Sequence, residues 1–136
     1  MHKQVNIEEI DVIRFDSSSE DAGWVGEYVA CGGLGSSDST VCYFEIHPGK
    51  RLGWHHNTAE EVQFYIEGSG ELSLETGSRR VEKGDVVVVA AGTAHDVRNT
   101  GNTNLRAIGF FAEPRVRHIW SDVCYDDRAV TGSPGP

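Results

Sequence analysis

Apolar and polar residues alternate with a period of two through the middle of the chain, and the clearest case is EVQFYI at residues 61–66. Side chains of an extended strand point alternately to opposite faces, so Glu61, Gln63 and Tyr65 share one face and Val62, Phe64 and Ile66 the other. One face is polar and the other greasy. Runs rich in Val, Ile, Tyr and Phe predict strands over residues 7–15, 24–30, 40–46, 62–67, 71–75, 85–89, 95–98 and 105–111. No stretch repeats its apolar positions at helical spacing. Between the runs stand Gly, Asn, Ser and Asp, and hairpin turns are expected at Gly68-Ser69-Gly70, Thr76-Gly77-Ser78 and Asn99-Thr100-Gly101-Asn102. Many short strands at this spacing predict an all-β protein, a sandwich or a closed barrel.

Three regions stand outside the pattern: residues 16–23, residues 32–39 and the tail after Pro114. The tail carries Trp120 and Tyr125, so part of it is expected to pack on the barrel before fraying at the terminal GSPGP. At 136 residues the chain fits one domain, 1–136, that can enclose a core without disulfides. Its formal charge of −9, from 12 basic and 21 acidic residues, argues against nucleic acid and anionic membranes as partners. The longest apolar run, residues 86–91, is too short to span a bilayer. Cys31, Cys42 and Cys124 form no CxxC pair, and the N-terminal MHKQVNIEEI has no apolar stretch; together these predict reduced thiols and a cytoplasmic setting.

Chemistry concentrates in two segments, PGKRLGWHHNTAEEVQFYIEG at 48–68 and GDVVVVAAGTAHDVRN at 84–99. If the polar face of 61–66 looks into a barrel, Glu61 is a buried carboxylate that must be paired, protonated or bound to a cation. His95 follows the Gly92 turn, where a neighbouring strand can bring its imidazole to the same interior point.

The first segment resembles cupin motif 1 through Gly49, His55, Glu61 and Gly68, and the second resembles cupin motif 2 through Gly84, Gly92, His95 and Asn99. The wording around Glu61 is similar to the oxalate decarboxylase and germin branch. The resemblance implies a double-stranded β-helix, the jelly-roll barrel, with its core at about residues 24–113. It also implies one divalent transition metal ion per chain, Fe2+ or Mn2+ ahead of Zn2+ or Ni2+, and pairing into a homodimer. Ala90 replaces the usual motif 2 proline, and Asn57 stands where motif 1 has its second histidine. Counting from His55 gives that reading, whereas counting back from Glu61 puts His56 in the second position, so His55, His56, Glu61 and His95 are all candidate ligands. Gln63 and Tyr65 are the candidate catalytic contacts, and Trp54 is placed at the pocket mouth. Asn99 reads as a turn residue and His47 and His118 by default as surface residues, with His118 folding back as an extra ligand the alternative.

Two imidazoles and a carboxylate leave coordination positions open, which favours an enzyme over a structural site. The expected activity is a dioxygenase-type oxidoreductase acting on a small oxygenated molecule. A non-redox isomerase, decarboxylase or polyketide cyclase is the alternative, and a small-molecule-binding module is the third reading.

Overall fold

Twelve strands and no helix make up residues 2–125, the part of the chain described by the structure, a computed structural model. The terminal GSPGP lies outside the described residues. In chain order the strands are β1 (Ile13–Asp16), β2 (Gly23–Gly32), β3 (Gly35–Ser36), β4 (Thr40–Ile46), β5 (His55–Asn57), β6 (Glu61–Glu67), β7 (Ser69–Leu74), β8 (Gly77–Glu82), β9 (Val86–Val89), β10 (His95–Asn99), β11 (Leu105–Phe111) and β12 (His118–Trp120). They form two sheets. One runs β1-β2-β4-β11-β6-β9, with β3 beside β2, and the other runs β12-β5-β10-β7-β8. All pairings are antiparallel except that of β2 with β3. This is the all-β, double-stranded β-helix that the sequence implied.

Several local expectations change. The turn at Thr76-Gly77 does close a hairpin, with Leu74 opposite Gly77 in the β7–β8 pair. Gly68-Ser69-Gly70 and Asn99-Thr100-Gly101-Asn102 are corners instead, because β6 and β11 lie in one sheet while β7 and β10 lie in the other. Gly68 makes its corner at φ +85°, and a Cβ there would meet the Asn104 carbonyl oxygen at 2.7 Å, so only glycine fits. Asn99 secures the other corner: its amide donates to the carbonyls of Ile46 and Thr103, both at 2.7 Å. Of residues 7–15 only the last three are strand, and β3, β5, β8 and β12 were not anticipated.

The core fills one end of the barrel with Phe44, Ile46, Leu52, Tyr65, Leu72, Val81, Val97, Leu105 and Ala107. The Val, Leu, Ile and Phe side chains among them contribute roughly 1.5–3 kcal/mol each when fully buried. A second cluster, Ala59, Phe111 and Val116, ties the tail to the inside of the large sheet. Outside, Phe64, Val86, Val88 and Phe110 leave apolar surface uncovered on β6, β9 and β11. Among the described residues no helix is long and apolar enough to cross a membrane.

Candidate metal centre

Strand register decides which side chains meet. His55 and His95 are directly opposite each other on β5 and β10, and their ring centroids lie 4.3 Å apart. Glu61 opens β6 in the facing sheet, so its carboxylate approaches the two rings across the barrel. His95 Nε2 comes within 3.6 Å of Glu61 Oε1. All three residues are buried, at 5%, 0% and 4% exposure.

The two imidazoles are oriented alike. His55 Nδ1 bonds the Gly53 carbonyl and His95 Nδ1 the Thr93 carbonyl, each at 2.8 Å, which makes Nδ1 the protonated nitrogen and leaves Nε2 as the available donor atom. His95 Nε2 has no hydrogen-bond partner although it is wholly enclosed. An enclosed imidazole nitrogen facing a carboxylate suits a cation, so these residues fit a divalent metal. Among the described residues, no three His, Cys, Asp or Glu side chains stand close enough together to hold a metal ion as placed. His55, His95 and Glu61 are donors that face one another from the two sheets.

Burial, with His95 nearby, holds the His55 pKa well below the ordinary histidine value. Burial also opposes charge on His95, but the Glu61 carboxylate outweighs it and the net direction is upward. The Cys42 thiol, buried and close to Glu61, is pushed upward and stays protonated.

Gln63 and Tyr65 face inward with Glu61, at 1% and 2% exposure, while Glu60 faces out. Their hydrogen bonds run to the Glu61 carboxylate. Tyr65 donates its hydroxyl to Gln63 Oε1 at 2.6 Å, and Gln63 Nε2 donates to Glu61 Oε1 at 2.9 Å, so the amide orients the carboxylate. His56, the other ligand candidate of the HH pair, takes the opposite face. Alternation along β5 buries His55 and Asn57 and turns His56 to the opposite face, away from His95 and Glu61. Trp54 is half-buried, and His47 bonds Asn104 on the surface.

His118, read from sequence as a surface residue, is brought inside. β12 pairs with β5 so that His118 lies opposite Asn57 and Trp120 opposite His55. The His118 ring stands 6.4 Å from the His55 ring and 6.1 Å from Phe111, and Trp120 packs on His55 at 4.5 Å, all between centroids. Burial lowers the His118 pKa to about 4, so it is neutral near pH 7. The signal was present in PRVRHIW, where Val116, His118 and Trp120 alternate with Arg115, Arg117 and Ile119, and the first set points inward.

Gly109 leaves the space that Glu61 occupies. A Cβ there would run into Glu61 Oε2 and reach 3.0 Å from Cys42 Sγ. Gly109→Ala should therefore displace the carboxylate and cost about 1–3 kcal/mol through overpacking. A lower thermal midpoint together with weaker metal uptake is the expected result; unchanged values in both would show that Glu61 moves freely.

A jelly roll of two sheets, with two facing imidazoles and an opposed carboxylate between them, defines the class of fold and the candidate site. The chain belongs to the cupin family, whose Cupin domain pattern matches residues 42–111. Acireductone dioxygenase 1 of Nocardia farcinica is 30% identical over 106 residues, covering 75% of this chain and 48% of that protein. Oryzines biosynthesis cluster protein J of Aspergillus oryzae is 37% identical over 65 residues, covering 48% of this chain and 36% of that one. The chain spans between 36% and 48% of the length of the curated relatives it matches. Among solved structures, the oxalate decarboxylase formate complex of Lactobacillus farciminis aligns with a TM-score of 0.71 at 16% identity, over 84% of this chain and 34% of that one. A Bacillus subtilis oxalate decarboxylase studied for its Mn(II) centres aligns with a TM-score of 0.63 at 20% identity, over 76% of this chain and 29% of that one. These two likenesses establish the fold.

Proposed function

We propose that the protein is a metal-dependent enzyme of the dioxygenase type, acting on a small oxygenated molecule such as an enol, a diketone or a catechol. The observation that carries this reading is His95 Nε2, enclosed, without a hydrogen bond and facing Glu61 Oε1 at 3.6 Å. His55, His95 and Glu61 would hold the ion, with Fe2+ or Mn2+ suited to this nitrogen and oxygen set. Bound there, such an ion would supply Lewis acidity toward adjacent substrate oxygens and, as iron, redox chemistry toward dioxygen. The chain's own part is to orient and to exclude water. Gln63 and Tyr65 fix the carboxylate, while Phe111 and Val116 pack as apolar core near the site and Trp120 packs on the His55 ring. The match to the acireductone dioxygenase of Nocardia farcinica supports the oxidative reading over a large part of this chain.

The test is elemental analysis of the purified protein followed by oxygen-uptake assays with enols, diketones and catechols. About one metal ion per chain and substrate-dependent oxygen consumption are expected. Protein that holds no metal in any preparation discards the proposal, and turnover that persists without oxygen assigns the site to the non-redox alternative.

Acid should empty the centre. The His95 pKa is raised above its ordinary 6.5, so at lower pH the ring carries a proton that a metal must displace. That proton stabilises the metal-free fold at low pH, and its contribution is lost as pH rises through the raised value. Metal affinity should accordingly fall as pH drops through the same range, by up to about tenfold per pH unit for one proton released. Calorimetric titrations at several pH values would show it; pH-independent affinity would remove His95 from the donor set.

A further inference from the structure

We propose that Tyr28 and His118 are positioning residues of this centre: they hold Asn57 as a hydrogen-bond donor to Glu61 and keep its amide oxygen off the metal. The donor set is then two imidazoles and one carboxylate. This rests on the metal reading of His55, Glu61 and His95 given above, and it adds who controls the third strand position facing them.

The polarity of the hydrogen bonds carries the argument. His118 Nδ1 lies 2.6 Å from Asn57 Oδ1, and an amide oxygen only accepts, so Nδ1 bears the hydrogen. His118 Nε2 then accepts from the Tyr28 hydroxyl, also at 2.6 Å. Asn57 Nδ2 faces Glu61 Oε1 at 3.4 Å, and a carboxylate likewise only accepts. Flipping the amide would set its oxygen against the carboxylate, so Glu61 enforces one orientation, and that orientation selects the His118 tautomer with the hydrogen on Nδ1.

The arrangement mirrors the one on the other side of Glu61. Tyr65 donates to Gln63, which donates to Glu61 Oε1, just as Tyr28 donates to His118, His118 to Asn57 and Asn57 to Glu61. Two chains of donors, each beginning at a buried or half-buried tyrosine, end on the same carboxylate oxygen. The Asn57 oxygen is spent on His118. For His118 to bind the metal itself through either ring nitrogen it would have to give up the short hydrogen bond made at that nitrogen.

The test uses the full-length protein loaded with Cu2+, with coordinated imidazoles counted by electron spin-echo envelope modulation and affinity measured by titration. Two imidazoles are expected in the wild type and in His118→Ala, and three in Asn57→His. His118→Ala should bind metal about tenfold more weakly, the usual effect of losing a group that orients a ligand, and Tyr28→Phe should move in the same direction. His118→Gln, which can donate to Asn57 and accept from Tyr28, should recover most of the loss. Three imidazoles in the wild type falling to two in His118→Ala would overturn the inference by making His118 a ligand. Unchanged affinity in His118→Ala and Tyr28→Phe, with only a lower thermal midpoint, would overturn it by making the chain merely structural. Loss of metal in His95→Ala beside full affinity in His118→Ala overturns the inference and leaves the metal reading standing; wild-type protein that takes up no metal overturns both.

Discussion

Glu61→Gln is expected to strip the centre of its metal while leaving the barrel folded. The substitution keeps size and shape, and the new side-chain oxygen can still accept from Gln63, so packing between the sheets changes little. The negative charge 3.6 Å from His95 Nε2 disappears. Groups that only orient a metal ligand account for about 10–100-fold in affinity when removed, so loss of the sole anionic donor should reach at least about hundredfold. Elemental analysis of protein grown with and without added metal, paired with a titration, reads the effect directly. The thermal midpoint of the metal-free variant should stay close to that of the metal-free wild type. Full metal content at unchanged affinity would mean that the carboxylate serves the fold and that the cation sits elsewhere.

How far the sequence leads to this site depends on the kind of signal each residue leaves. Glu61, Gln63 and Tyr65 lie on one face because strand alternation is strict, and that reading holds in the structure: all three are buried. The gap of forty positions between His55 and His95 is closed by the β5–β10 pairing, which local pattern does not encode and only the two spaced motifs suggested. In the HH pair the faces come from β5 itself, a strand of three residues too short to show periodicity but long enough to turn His56 outward and bury His55. The corners at Gly68 and Asn99 looked like hairpins because the same Gly, Ser and Asn residues serve both purposes; what separates them is which sheet each flanking strand joins. His118 was the costliest misplacement. Its alternating neighbours Val116 and Trp120 mark an inward face, yet the segment is so short, and follows so irregular a stretch, that no strand was expected there.

Asp96→Ala should lower stability by about 3 kcal/mol and weaken metal binding together, because one carboxylate ties both imidazole-bearing segments. Asp96 follows His95 on β10 and is 5% exposed. It accepts from the Gly53 amide at 2.8 Å and from Arg51 Nη1 at 2.9 Å. Gly53 in turn offers its carbonyl to His55 Nδ1, so Asp96 holds the peptide that orients the opposite ring. Arg51 also reaches Asp21 and Asp122, but those carboxylates are 45% and 39% exposed against 7% for Asp96, and exposed pairs contribute only about 0–1 kcal/mol. Removing Asp96 leaves the enclosed Gly53 N–H without its acceptor and Arg51 without its buried partner. For a domain of this size the thermal midpoint should fall by roughly 10 °C, and metal affinity by about tenfold through the loosened His55 ring. Asp21→Ala, on the exposed side of the same arginine, should shift the midpoint far less and leave metal affinity alone. If the two variants behave alike, the ion pairs act only as a surface network, and the orientation of His55 must come from the packing of Trp120 against its ring.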